Sequence, residues 1–168
     1  MINIEKVIRK MKQSKSVFTS EEELRREMAL AIKELYPKYT IRTEYYPLYS
    51  PEIQIDILIA TESGWIPIML RYMLKAFEIH IDENKTVFVA DDRRDTGWYH
   101  YVNNIEQLRE MRSVLPEFLE GYAIVLTNDN DAAKPIELHE NYEIHWEEYS
   151  RVYDGIGGLY YIAVSTVM

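Results

Sequence analysis

Apolar residues along the chain recur with two periods, and the alternation between them lays out the elements. Ile4, Val7, Ile8 and Met11 share one helical stripe, predicting a short basic helix over residues 3–13. A stronger helix follows. Thr19 or Ser20 can cap it, Glu21, Glu22 and Glu23 occupy the first turn where the helix dipole favours acids, and Leu24, Met28, Ala31, Ile32 and Leu35 form its apolar face. Pro37 marks its end. Tyr39, Ile41, Thr43 and Tyr45 then alternate as a strand does, and Pro47 and Pro51 bracket a loop.

Ile53, Ile55, Ile57 and Ile59 are expected on one face of a second strand, with Gln54, Asp56 and Leu58 on the other. After a Glu62-Ser63-Gly64 turn, Ile66, Ile68, Leu70 and Tyr72 share one face of a third strand and Pro67, Met69 and Arg71 the other. The proline predicts an edge position or a bulge near the start of that strand. Phe77–Ile81 and Thr86–Val89 read as a hairpin, inserted within residues 73–92. A helix is predicted over about Trp98–Arg112, then a buried strand at Tyr122–Thr127, and two closing strands at Tyr142–Trp146 and Leu159–Val167. Helices and strands in this order predict one α/β domain over residues 1–168, with a central mixed sheet flanked by helices.

Composition narrows the function classes. The 168 residues include no cysteine, which excludes disulfides, thiolate zinc sites and a cysteine nucleophile. No apolar run is long enough to span a bilayer, and the first residues lack the order of a secretory signal, so a cytoplasmic protein without membrane contact is expected. A formal charge of -9 weighs against tight non-specific binding to nucleic acid. Fourteen tyrosines suit either strand interiors or a contact surface. These two features point to a protein partner or self-association, with nucleic acid as the second class. The four histidines show no ligand spacing, and Gly155-Ile156-Gly157-Gly158 lacks the strand-to-helix setting of a dinucleotide site.

The segments that carry a family likeness come in a fixed order. Ser20-Glu21-Glu22-Glu23-Leu24 opens a helix, Ile55-Asp56-Ile57 lies on a strand, and Ile66-Pro67-Ile68 lies on the next. A helix over Tyr99–Leu108 follows, then Gly121-Tyr122-Ala123-Ile124-Val125-Leu126-Thr127-Asn128-Asp129, Tyr142–Trp146 and Tyr160–Val164. This succession resembles the restriction-endonuclease-like, or PD-(D/E)XK, nuclease superfamily, and more narrowly small prokaryotic proteins of that fold.

The resemblance implies a restriction-endonuclease-like α/β sandwich and a Mg²⁺-dependent phosphodiesterase site. Residues i and i+2 of a strand share a face, so an acid and a lysine at that spacing address one phosphate. Carried onto this chain, Asp56 is the metal-binding acid, Met69 stands where the second acid belongs, and Arg71 stands where the lysine belongs. A thioether is a poor partner for a hard cation, and arginine stays protonated, so it can clamp a phosphate but not accept a proton. The family's helix acid maps to Glu23, with Glu21, Glu22 and Glu27 as rivals. On the later helix Asp95 and Tyr99 keep the pattern of relatives, while Arg94, Trp98 and His100 depart from it. Mg²⁺ is expected only where a second acid such as Glu23 converges on Asp56. Glu44, Glu52 and Glu78 are candidate replacement acids, and Lys33 and Lys75 candidate bases.

Each residue also has an ordinary explanation. Asp56 suits a half-exposed strand, Met69 suits core filling, and Arg71 suits solvent or a pairing with Asp56. The expected function is therefore a nuclease-fold protein with a degenerate centre, catalytically inactive or very weak, acting as a binding or regulatory domain. The alternatives are a Mg²⁺-dependent phosphodiesterase with a rearranged site and a nucleic-acid-binding module that does not cleave.

Overall fold

The computed structural model describes residues 1–15, 18–73, 77–81, 84–88, 94–128, 145–151 and 159–168. Helix α1 covers Ile4–Ser14, with Asn3 accepting a hydrogen bond from the Lys6 N–H as its N-cap. Val7, Ile8 and Met11 are its buried stripe, as the spacing predicts. Helix α2 covers Glu21–Leu35 and starts on Ser20, whose hydroxyl accepts from the Glu23 N–H. Strands β1 (Thr40–Tyr45), β2 (Ile55–Ala60) and β3 (Trp65–Met73) follow, then the hairpin strands β4 (Phe77–Ile81) and β5 (Asn84–Phe88). Helix α3 covers Arg94–Val114, starting earlier than the apolar spacing alone indicates, and β6 (Gly121–Thr127), β7 (Trp146–Arg151) and β8 (Leu159–Val167) complete the order. The strand expected over 142–146 falls largely outside the described residues; the strand seen there begins at Trp146.

Six strands form one mixed sheet in the order β1-β2-β3-β6-β8-β7. The β3–β6 pair is parallel and the others are antiparallel. Strands β4 and β5 pair antiparallel with each other as a hairpin and form a separate two-stranded sheet among the described residues. Side-chain alternation splits the core into two layers. On β6, Tyr122, Ile124 and Leu126 pack with α1 and α2, while Ala123 and Val125 pack with Tyr101, Ile105 and Leu108 of α3. The three helices thus flank the sheet on opposite faces, which buries β6 along its whole length. No helix among the described residues is long and apolar enough to cross a membrane.

Pro67 does not mark an edge: β3 lies between β2 and β6. The strand begins beside the segment before β6, with Trp65 N donating to Glu117 O and Trp65 O accepting from Leu119 N. The next donor on that side would be residue 67, and proline has no N–H. The register then slips between the Trp65–Phe118 bridge and the regular ladder that starts at Ile68–Tyr122, so the irregularity expected near the strand start is present.

Five tyrosines among the described residues are buried: Tyr72, Tyr101, Tyr122, Tyr149 and Tyr160. Two of them fix the connection between α1 and α2. Tyr72 donates its hydroxyl to Phe18 O at 2.7 Å, and Tyr149 donates to Lys15 O at 2.9 Å. These bonds satisfy carbonyls beyond the end of α1 and set where α2 starts, which decides which of its first-turn acids meets the sheet.

Candidate functional site: a charged seam between the second helix and the sheet

The site follows from a break in the first three strands. The β2–β3 ladder runs from Ala60–Trp65 to Ile57–Ile68 and stops there. Beyond it, Leu70 N–H donates not to a strand carbonyl but to Asp56 Oδ2, at 2.7 Å. The Asp56 side chain thus completes the sheet where the two strands part. On the other side, Glu44 is the residue of β1 that has no register partner between the Thr43–Ile57 and Tyr45–Ile55 pairs. It takes a left-handed backbone, φ 52°, uncommon for a residue with a side chain.

That turn switches the faces of both strands. Ile41, Thr43 and Glu44 line a groove beneath α2, whereas Tyr45 packs with Trp65 in the α3 layer, ring centroids 5.7 Å apart. In β2, Ile57 and Ile59 belong to the layer of α1 and α2, but Ile53 and Ile55 belong to the layer of α3. The expectation that all four isoleucines share a face is therefore incorrect. Strict period-two counting fails because the backbone turns over at Glu44 and Asp56.

Arg25 of α2 meets both carboxylates. Its Nη1 lies 3.2 Å from Asp56 Oδ1 and its Nη2 lies 2.7 Å from Glu44 Oε1. Four residues earlier on the helix, and so on the same side, Glu21 Oε2 lies 3.5 Å from Arg71 Nη1. The seam thus joins α2 to β1, β2 and β3 through Glu21, Arg25, Glu44, Asp56 and Arg71. Burial pushes the Asp56 carboxyl above its usual range, against the Leu70 N–H and Arg25. Burial also pushes Glu21 up to about 7, against Arg71, and the negative charge of Asp56 adds to the rise.

Glu23 does not join this group. It points to the helix start, where its carboxylate accepts from the Thr19 N–H at 3.0 Å and from the Thr19 hydroxyl, and pairs with Lys15. This is an N-terminal capping arrangement. Two residues along a helix is more than half a turn, so Glu21 and Glu23 cannot face the same neighbour. Of the acids in the first turn of α2, the one near Asp56 is Glu21. Its spacing to Leu24 and Met28, on the buried stripe, is the signal that distinguishes it from Glu23. Arg25 escaped sequence reasoning; its position four residues after Glu21 is the corresponding signal.

Met69 is 3% exposed and packs with Leu58, Ile105 and the rest of the α3 layer. It is a core residue. Asp95 and Tyr99 fall on the first turns of α3, and their side chains lie outside the described residues. So do the side chain of Glu78 and all of Lys75. Lys33 donates to Pro37 O and Tyr39 O, both at 3.2 Å, and closes the end of α2. Glu52 accepts from the Ser50 hydroxyl in the β1–β2 loop. Of the candidate replacement groups, Glu44 alone among the described side chains converges on Asp56, and it does so through Arg25.

The donor set does not suit Mg²⁺. A hard dication needs carboxylate oxygens turned toward it and several waters. Here one oxygen of Asp56 faces a sheet N–H, the other faces a guanidinium, and the residue beside Leu70 is a buried thioether. Among the described residues, no group of three or more His, Cys, Asp or Glu side chains is arranged to hold a metal ion.

The charges also set a pH profile. Burial raises Glu23, but hydrogen bonds from Lys15 and Thr19 outweigh it and hold the carboxyl at about 2. A carboxyl depressed on folding contributes stability above its unfolded value of 4.5, and this is lost as pH falls from 4.5 toward about 2. Glu21 has the opposite sign. Its folded form holds the proton up to about 7, so stability declines as pH rises from 4.5 to about 7. Solvent screens Glu21, whose side chain is 34% exposed, so its effect is the smaller. Urea midpoints measured across pH are expected to show a shallower acid limb in Glu23→Gln. The decline between 4.5 and about 7 is expected to flatten in Glu21→Gln.

No family model, curated protein or solved structure matches the chain.

Proposed function

We propose that the chain is a restriction-endonuclease-like domain whose former catalytic centre now serves as structure, and that it acts as a binding or regulatory domain rather than a nuclease. One observation carries the reading: both oxygens of Asp56 are engaged inside the protein, by Leu70 N–H and by Arg25. A carboxylate that completes a sheet ladder and neutralises a part-buried guanidinium has a folding role that a bound metal would disrupt. Met69 in the α3 layer supports the same reading, because it removes the second strand carboxylate.

A rearranged phosphodiesterase is the competing reading, favoured by the approach of Glu21 to Asp56 with Arg71 beside it. In that reading Arg71 holds phosphate. Incubating the protein with labelled single- and double-stranded DNA and RNA in Mg²⁺ or Mn²⁺ separates the two. No cleavage above a no-protein control is expected. Cleavage that disappears in both Asp56→Asn and Glu21→Gln would establish the phosphodiesterase instead. Salt-dependent binding of uncut nucleic acid, weakened by Arg71→Ala, would identify nucleic acid as the partner.

A further inference from the structure

The most exposed large apolar side chain among the described residues is Leu48, 97% exposed. It does not stand alone. Tyr46 is 53% exposed and Tyr49 39%, so the loop after β1 carries a projecting apolar knob. The loop is also stiff. Pro47 and Pro51 restrict it, Ser50 N donates to Pro47 O at 3.2 Å, and Ile53 N donates to Ser50 O at 3.1 Å. A rigid tyrosine-bearing knob loses little conformational entropy on contact, which is what a binding hot spot requires. Its flanks are acidic. Glu52 follows it in the chain, and Glu110 of α3 lies within electrostatic reach of Tyr49.

A complementary surface lies along the same strand. Between α2 and β1 runs a groove of about 410 Å³ with an apolar wall of Ala29, Leu30 and Ile41. Leu30 is 52% exposed there. Arg25, Arg26 and Lys33 give the groove three cations against two carboxylates, and one of these, Glu44, is already held by Arg25. The groove takes Ile41 and Thr43 from β1, and the knob begins at the residue after β1. Strand β1 is the last of its sheet, with no further strand beside it among the described residues. An apolar knob with acidic flanks and an apolar groove with basic flanks thus adjoin on one edge of one molecule.

We propose that this edge is a homodimer surface, in which each copy seats Leu48 in the groove between α2 and β1 of the other. A two-fold axis makes both contacts at once, because the patch carries both halves of its own complement. The charges match in the same arrangement: Glu52 and Glu110 approach Arg26 and Lys33. This surface depends on Leu48 and the wall of the groove, and holds whichever role the Asp56 seam performs.

Sedimentation of the full chain across a dilution series tests it. The wild type is expected to dimerise. Leu48→Asp is expected to weaken the dimer by about tenfold or more, as loss of a buried leucine does. Its fold should be unchanged by circular dichroism, because the side chain is exposed. Leu30→Asp should act in the same way. The absence of cysteine allows a direct placement. Mixed Leu48→Cys and Leu30→Cys variants should form a disulfide between unlike chains, in excess of the like pairs. A monomeric wild type, a dimer indifferent to both aspartates, or no excess of the mixed disulfide would each overturn the proposal.

Discussion

Asp56→Ala is expected to destabilise the fold by about 3 kcal/mol, against about 1 kcal/mol for Asp56→Asn. The alanine variant removes the acceptor of Leu70 N–H at a buried position. It also takes from Arg25, whose side chain is 12% exposed, one of the two carboxylates it pairs with, Glu44 being the other. An unmatched sheet amide costs about 1–3 kcal/mol, and a part-buried guanidinium that loses a partner adds to that. Asparagine keeps an oxygen for the amide, and removing the charge relieves the burial that pushes this carboxyl up. Urea denaturation of the three proteins measures the difference. Equal stability of the alanine and asparagine variants would show that the hydrogen bond to Leu70 contributes little.

Gly64→Ala is expected to be the most damaging of the small substitutions, at about 3–5 kcal/mol. Gly64 has φ 152°, a conformation that residues with a side chain rarely adopt. A Cβ there would sit 2.2 Å from Glu117 O and 3.0 Å from a Leu119 side-chain carbon. The carbonyl has little freedom to retreat, because it accepts from Trp65 N at 2.6 Å. This contact is the entry to β3, just before Pro67 interrupts the ladder and just ahead of the residues that meet Asp56. Thermal unfolding gives the magnitude, and an unaltered midpoint would show that the turn can shift without disturbing the strand.

Much of the architecture is legible in the chain because it rests on local periodicity. The stripe on α1, the capping residues Thr19 or Ser20 ahead of α2, the alternation of Ile66, Ile68, Leu70 and Tyr72, and the unbroken apolar run of β6 each state their element directly. What is not legible depends on contacts distant in sequence. Nothing around Glu44 announces a left-handed residue, so the change of face at Ile53 and Ile55 is invisible to counting. Pro67 suggests an edge because the compensating slip against the segment before β6 involves residues more than fifty positions away. The site was half visible. Asp56, Met69 and Arg71 stand out against a familiar pattern, but the choice of Glu21 over Glu23 depends on where α2 starts. That start is set in part by hydroxyls of Tyr72 and Tyr149, from β3 and β7. Arg25 carries no motif at all and becomes informative only once two carboxylates from two strands meet it.

The seam gives Asp56 a structural role that needs no metal: it accepts the Leu70 N–H and pairs with Arg25. The expected cost of removing Asp56 comes from that hydrogen bond and ion pair and not from a bound metal. An acid placed at position 69 would not join Asp56. Its side chain would enter the α3 layer among Leu58 and Ile105, where an unpaired carboxylate is strongly disfavoured.

The most direct test compares thermal unfolding of the wild type and Asp56→Asn, each with and without millimolar Mn²⁺ at low ionic strength. A ligand that binds only the folded form raises its unfolding midpoint. If Asp56 serves the sheet and Arg25, the asparagine variant melts below the wild type and Mn²⁺ moves neither. A rise in the wild-type midpoint on adding Mn²⁺, absent from Asp56→Asn, would show that Asp56 is a metal ligand and contradict the account.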